Sequence, residues 1–240
     1  ENFPEFIMKY GMTDMYSAGF YPFPSEEARW GYWSKHSYIN RIAPPALPLY
    51  NQLLELVKEK DYFVLTTNVD HQFQKAGFDE ERIFATQGDY GLIQCAKGCH
   101  AKTYDAMDSF HQMNQARKDC VTPSYMVPKC PVCGGPMAMN LRCDQYFVED
   151  EVWHTAARNY GTYLDQYLTK KNMLLLELGV GFNTPTIVRI PFEKMMRENN
   201  NIKMIRLNLD EAVIPESQGN RAIGITEDIT KILADIQNNL

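Results

Sequence analysis

The chain has 240 residues, of which 45% are hydrophobic and 22% charged, and a formal net charge of -6 at pH 7. Such a chain can bury a substantial core, either as one large domain or as a core with a small insert. The acidic balance, with no Lys/Arg cluster interleaved with aromatics, argues against a nucleic-acid partner, and no apolar run reaches membrane-spanning length.

The N-terminus reads ENFPEF, with neither a basic n-region nor an apolar h-region, so no secretory signal and a cytoplasmic location are expected. Residues 1–45, centred on SAGFYPFPSEEARWGYW, are rich in aromatics and turn formers and lack strong periodicity, which predicts short helices and loops. From Leu47 the pattern sharpens. LPLYNQLLELVKEKD sets Leu49, Leu53, Leu54, Leu56 and Val57 largely on one helical face, and Tyr62 to Leu65 then form a short buried strand. A further apolar run spans Ile83 to Ala85.

Cys95 to Cys143 breaks this rhythm and reads as an insert packed directly against the sheet domain, with a cleft between them as the expected site. The last third returns to it, with a helix over Val152 to Leu168, the run MLLLELG, a helix near Pro185 to Glu198, the run KMIRLNL and a closing helix from Thr226. Buried strands alternating with helices predict an α/β fold with a parallel sheet.

The strongest local signal lies in the insert. Cys95 and Cys99 form a C-x3-C pair, and after thirty intervening residues Cys130 and Cys133 form a C-x2-C pair. Two knuckles of this kind point four thiolates at one centre, the tetrahedral sulfur set that suits zinc, and without a secretory signal metal is favoured over disulfides. Such a site is closed to water, so the metal is structural. The glycines after KCPVC permit the turn that brings amide N–H groups toward sulfur. Cys120, Cys143, His100 and His111 are competing ligands, and Cys143 is a weaker candidate for a nucleophile.

A second group follows the strand YFVLTT. Asn68, Asp70 and His71 fall at its carboxyl end, where open α/β sheets bind ligands, and Gln87 and Asp89 follow the next apolar run into the same crevice. The alternative is that Asn68 and Asp70 cap the next helix. A third group, ELGVGFNTP, puts Gly179, Gly181 and Asn183 at another strand end, where glycines let backbone approach a ligand.

In this order the pieces resemble a sirtuin, whose pattern is strand-TQN-x-D, HG, two cysteine pairs, strand-GTS, strand-N and a final helix. The matching residues are Thr67, Asn68, Val69 and Asp70, then Gln87 and Gly88, the four cysteines, Gly179-Val180-Gly181, and Asn208 in IRLNLD. The resemblance spans roughly Leu47 to the C-terminus. It implies a Rossmann-like parallel sheet with helices on both faces, formed by residues 46–92 and 146–240. A small zinc-ribbon/helical module at 93–145 is inserted, and residues 1–45 pack near the NAD cleft. NAD is then the co-substrate, with Thr67, Asn68, Asp70, Gln87, Gly179, Val180, Gly181, Asn183 and Asn208 as its contacts.

Two departures from the pattern stand out. The family's glycine-rich GAG phosphate loop is absent and is expected to precede Glu1. Gln87 occupies the position of the histidine base of deacylating sirtuins, and an amide has no accessible pKa with which to take a proton. With the stretch NLRCD, Asn140 to Asp144, this substitution resembles the macrodomain-linked class of microbial sirtuins. That resemblance implies a bacterial-type protein ADP-ribosyltransferase in which Asn68 and Gln87 are the catalytic residues. It also implies an acceptor resembling the lipoylated glycine-cleavage H-like protein, and a de-modifying macrodomain partner. Arg142 and Asp144 are candidate acceptor contacts, a surface ion pair being the alternative. Two rival readings are an NAD-dependent deacylase in which His71 replaces the usual base, and a non-catalytic NAD- or ADP-ribose-sensing module.

Overall fold

Capping chemistry sets several of the helix starts. In a computed structural model of the protein, described for residues 2–168, 172–181 and 185–239, helices α1 (Pro4–Tyr10), α2 (Met15–Ala18) and α3 (Glu26–Ser37) lead into a π-helical turn at Tyr38–Ile42 and then α4 (Pro48–Val57). The Ser25 side chain accepts from the Ala28 amide, Glu26 and Glu27 lie in the first turn of α3, and a proline opens α4, where a missing N–H costs nothing. Strand β1 (Val64–Thr66), α5 (Gln72–Lys75), β2 (Ile83–Ala85) and β3 (Gly88–Cys95) follow, then β4 (Thr103–Asp105), α6 (Met107–Ala116), β5 (Met137–Leu141) and α7 (Glu151–Tyr167). The chain continues with β6 (Met173–Leu178), α8 (Arg189–Glu198), β7 (Ile202–Asn208), β8 (Ala222–Thr226) and α9 (Ile229–Asn238), the last capped by Asp228.

The chain folds as two compact units. One contains Glu1–Pro45, Val69–His71 and Gly88–Glu151, the other Ala46–Asn68, Gln72–Gln87 and Val152–Leu240. In the first, β4, β3 and β5 form an antiparallel sheet in that order. Its core is aromatic, with Phe6, Trp30, Tyr32 and Phe110 fully buried. Helix α3 is longer than the short helices expected before residue 46. It buries Ala28, Trp30, Gly31, Tyr32, Trp33, Ser34, His36 and Ser37, and a helix enclosed on so many sides carries no amphipathic period to read. The sheet begins at Gly88 and the unit ends at Glu151, whereas the sequence reading sets the insert at 93–145.

The second unit carries the parallel strands. Strand β1 pairs with β2, and β7 lies between β6 and β8, all in parallel register. Leu53, Phe78, Ile83 and Leu233 form one core cluster into which Val64 of β1 and Leu176 and Leu178 of β6 also pack, so both parallel sheets share one hydrophobic layer. The α/β alternation read from the sequence is therefore present, with three corrections. Residues Ala222–Thr226 form strand β8, so Thr226 ends a strand and the closing helix begins at Ile229. The helix expected from Pro185 begins at Arg189, after a turn. The region after Cys95 contributes to a regular antiparallel sheet. Strand β8 lies at a sheet edge with Ile223 57% exposed, so it lacks the apolar run that marks a buried strand. No helix among the described residues is long and apolar enough to cross a membrane.

Gly88 joins the Gln87 position to the antiparallel sheet. Its φ of 96° lies in the region that favours glycine, and an added Cβ would come 1.9 Å from the Asn140 carbonyl oxygen across the β3–β5 ladder. Gly88→Ala is expected to lower stability by about 3 kcal/mol, through overpacking and backbone strain together. Thermal and urea denaturation measure this, and a loss below half that size would contradict the close approach.

Candidate functional site

Strands β1 and β2 run side by side with Thr66 opposite Ala85, and the ladder continues one step further, the Thr86 amide donating to the Thr66 carbonyl at 3.0 Å. The Thr86 hydroxyl donates to the same carbonyl at 3.3 Å, and the Trp153 indole N–H donates to the Thr86 carbonyl at 3.4 Å. Thr67 and Asn68 follow directly after the first of these braced strands, and Gln87 lies in the turn after the second. Asn68 is exposed, its amide donating to the Tyr50 hydroxyl at 3.1 Å and its backbone N–H to the Thr66 hydroxyl at 3.0 Å. Gln87 is half-buried and donates to the Thr86 hydroxyl at 3.2 Å. Two carboxamides thus stand at adjacent strand ends. Each can orient hydroxyl groups, and neither can accept a proton as a base.

Asp70 and His71 follow directly along the chain and belong, with Asp89, to the first compact unit. Asp70 is half-buried. His71 is held at φ 64°, unusual for a residue with a side chain. Its Nδ1 lies 2.7 Å from Asp89 Oδ2, while Arg41 Nε donates to Asp89 Oδ1 at 2.8 Å and the Gly91 amide to the same oxygen at 2.6 Å. Burial works to raise the Asp89 pKa, but the His71 hydrogen bond and the Arg41 guanidinium outweigh it, and the carboxyl is held below the usual range. Asp89, expected from the sequence to follow the same apolar run as Gln87, forms this half-buried clamp within the first unit.

The third group lies at the ends of β6 and β7. Gly179, at φ 61°, adopts the left-handed conformation that glycine tolerates, and its amide donates to the Leu207 carbonyl at 2.8 Å. Among the described residues, nothing lies within 4 Å of where a Cβ on Gly181 would sit. The Asn208 side-chain amide donates to the Val180 carbonyl at 3.2 Å, and its oxygen accepts from the amides of Asp210 and Glu211 at 3.0 and 3.1 Å. Gly179, Val180 and Asn208 are therefore joined directly, whereas Asn183 lies outside the described residues. Arg189 was not singled out from the sequence, where an arginine at a helix start looks like surface. It is 4% exposed and donates to the carbonyls of Val180 at 2.8 Å and Glu211 at 3.0 Å.

The four cysteines converge in the first unit. Their sulfurs all lie within 4.8 Å of one another, with Cys95 to Cys133 at 3.7 Å and Cys99 to Cys130 at 3.6 Å. Tetrahedral zinc with bonds of about 2.3 Å sets sulfurs about 3.8 Å apart, so the donor set fits zinc. Amides of Cys99 and Lys97 pull the Cys95 thiol down to about 6, whereas desolvation and the neighbouring sulfurs push Cys99 up to about 12. Amides of Cys133 and Val132 likewise lower the Cys130 thiol, and a bound cation would favour the thiolate form of all four. Gly134, at φ 69°, closes the second knuckle. His100 Nδ1 is 3.1 Å from Cys99 Sγ, beside the cluster. His111 stacks on Tyr38, Cys120 is buried elsewhere in the same unit's core, and Cys143 is exposed, so none of these three completes the set. Arg142 and Asp144 lie exposed after β5 and do not pair with each other. Arg142 pairs with Glu149 at 2.5 Å and stacks over Phe147, while Asp144 accepts from the Tyr146 amide at 2.7 Å.

The Asp89 clamp has a pH signature. A carboxyl whose pKa falls on folding adds stability that is fully present above its unfolded value, near 3.8, and is lost as pH drops through the lower folded value. Asp89→Asn is expected to cost about 3 kcal/mol at neutral pH, because Arg41, 7% exposed, loses the carboxylate 2.8 Å from its Nε. It should also flatten the acid limb of the stability profile, and equal acid sensitivity in both proteins would refute the clamp.

No family model matches the chain. The chain is 37% identical over 240 residues to a protein ADP-ribosyltransferase of Staphylococcus aureus (strain Mu50), covering all of this chain and 76% of that protein. It is 34% identical over 232 residues to a probable bifunctional ADP-ribose hydrolase/ADP-ribosyltransferase of Fusarium oxysporum f. sp. cubense, covering 90% of this chain and 38% of that longer protein. Among solved structures, a Sir2 homologue in complex with NAD superposes with a TM-score of 0.59 at 12% identity, over 98% of this chain and 85% of that one. The fold is that of the Sir2 sirtuins, and the chain belongs to the family of the Staphylococcus aureus protein ADP-ribosyltransferase.

Proposed function

We propose that the protein transfers ADP-ribose from NAD to a protein acceptor and releases nicotinamide. Family membership supports this reading, and the observation that carries it within the chain is the pair of carboxamides, Asn68 and Gln87, at adjacent strand ends. The C1′–N bond to nicotinamide breaks with its electron pair passing to the pyridinium ring, and a lone pair on the acceptor forms the new bond to C1′. Such a step builds oxocarbenium-like charge and needs orientation and electrostatic support more than a base. Asn68 and Gln87 hold the ribose hydroxyls, and Asp70, two residues along the chain, engages the carboxamide of nicotinamide. Thr67, Gly179, Val180, Gly181, Asn183 and Asn208 supply the remaining NAD contacts. The NAD-bound Sir2 homologue of the same fold supports NAD as the co-substrate.

Arg142 and Asp144 receive the acceptor, for which we propose a lipoylated H-like carrier protein in the cytoplasm. The Fusarium relative, named for both hydrolase and transferase activities, supports pairing with a de-modifying protein, which we take to be of macrodomain type. Cys95, Cys99, Cys130 and Cys133 hold a structural zinc. One observation favours a second reading, NAD-dependent deacylation with His71 in place of the usual base: its Nδ1 lies 2.7 Å from Asp89 Oδ2, a contact that orients an imidazole.

Incubation with labelled NAD and the lipoylated carrier separates these readings. Label on the carrier supports transfer, loss of an acyl group supports deacylation, and binding without turnover would leave only an NAD-sensing module. Asn68→Ala is expected to reduce transfer at least about 100-fold with an unchanged circular dichroism spectrum; an undiminished rate would remove Asn68 from the mechanism. Metal analysis should find one zinc per chain. Cys130→Ser is expected to release it and lower Tm by about 10 °C, and a fully stable, metal-free wild type would overturn the zinc assignment.

A further inference from the structure

A dense cluster of charge lies beneath the β6 and β7 strand ends. Glu177 on β6 and Arg206 on β7 are cross-strand neighbours, each 1% exposed, joined by paired hydrogen bonds of 2.7 and 2.9 Å. Arg206 also donates to Glu193 at 2.9 Å and to the Val213 carbonyl. Arg189 completes the group, with Nε 3.4 Å from Glu177 Oε1. Two carboxylates and two guanidiniums balance here, so the cluster carries no net charge.

Arg189 differs from Arg206 in what else it holds. A single Nη2 of Arg189 donates to the Val180 carbonyl, in the turn after β6, and to the Glu211 carbonyl, in the turn after β7. Asn208 spans the same two turns, reaching the Val180 carbonyl with its amide and the Asp210 and Glu211 amides with its oxygen. The two turns are thus fixed to each other and, through Arg189, to a buried ionic base. Carbonyls in turns at strand ends are usually left to water, and burying an arginine to bind two of them places the backbone there to within a fraction of an ångström.

From this geometry we infer that Arg189 is the positioning residue of the dinucleotide site: it sets the Gly179–Gly181 and Asn208–Glu211 turns in the conformation that receives NAD. The inference rests on the proposed NAD-dependent reading. Arg189 does not touch the reacting atoms. Its effect therefore falls on NAD affinity and leaves the chemical step intact.

The test uses Arg189→Lys and Arg189→Gln in the whole protein. Lysine keeps a positive charge beside Glu177, but a point charge cannot reproduce the planar fork that reaches Glu177 and both carbonyls together. Calorimetric titration with NAD is expected to give a Kd about tenfold weaker for Arg189→Lys and weaker still for Arg189→Gln, with kcat within about twofold of wild type at saturating NAD. Hydrogen exchange without NAD should quicken in peptides covering 179–181 and 209–212 while β7 itself stays protected. A folded Arg189→Lys that binds NAD as tightly as wild type would overturn the inference and leave the proposed function standing. A wild type that binds no NAD would overturn both. If Arg189→Gln fails to fold, Arg189→Lys and its exchange pattern still decide, since a merely structural role lowers Tm without changing Kd in the folded protein.

Discussion

The pairing of Glu177 with Arg206 is the constraint on which the parallel β6–β7–β8 sheet turns. Two opposite charges fully removed from water are tolerable only with good geometry and every remaining donor engaged, because the desolvation penalty otherwise exceeds the Coulombic return. The parallel register sets the two residues directly across from each other, Glu193 and the Val213 carbonyl accept from the other Arg206 nitrogens, and Arg189 brings a second guanidinium to 3.4 Å from Glu177 Oε1. A shift of one residue in that register would carry Glu177 to the opposite face and take its carboxylate from Arg206, which shares a face of β7 with the buried Ile202 and Met204. The ionic cluster therefore contributes more to the uniqueness of the strand pairing than to raw stability. The positions of Gly179, Val180 and Asn208 are consequences of it.

A different constraint governs the other pair of strand ends. Thr66 and Thr86 are buried threonines whose hydroxyls serve the backbone, one receiving the Asn68 amide and the other donating to the Thr66 carbonyl. They tie the segments that carry Asn68 and Gln87 to the ends of β1 and β2. The transfer proposed here works by orientation and would need this, since two amides have no proton chemistry with which to compensate for poor placement. The substitution of amide for imidazole and the bracing of its neighbours are parts of one physical solution.

Much of this was legible in the sequence, and what was not had physical reasons. The cysteine knuckles were readable because metal geometry dictates spacing, and the strands at Val64 and Met173 because burial on both faces writes a continuous apolar run. Asn68 and Gln87 were readable as residues following such runs. Strand β8 was not, because an edge strand with an exposed face carries a mixed composition. Helix α3 was under-read for the opposite reason, as burial all round erases the amphipathic signal. Arg189 could not be found at all. Its role depends on two carbonyls and a carboxylate brought from three separate places in the chain, and no local pattern encodes such a meeting.

The cysteine cluster has a further side. Cys99 and Cys130 hold their sulfurs 3.6 Å apart, and Cys99 and Cys133 are exposed to solvent. A small movement would bring either close pair to bonding distance, and the depressed Cys95 thiol supplies the nucleophilic form on which oxidation depends. An ion bound to all four sulfurs therefore acts as a protecting group as well as a staple. Metal and oxidation exclude each other at this site: once the metal has left, an oxidant that takes two electrons from a close pair joins its sulfurs, and joined sulfurs cannot take the metal back until a reductant arrives.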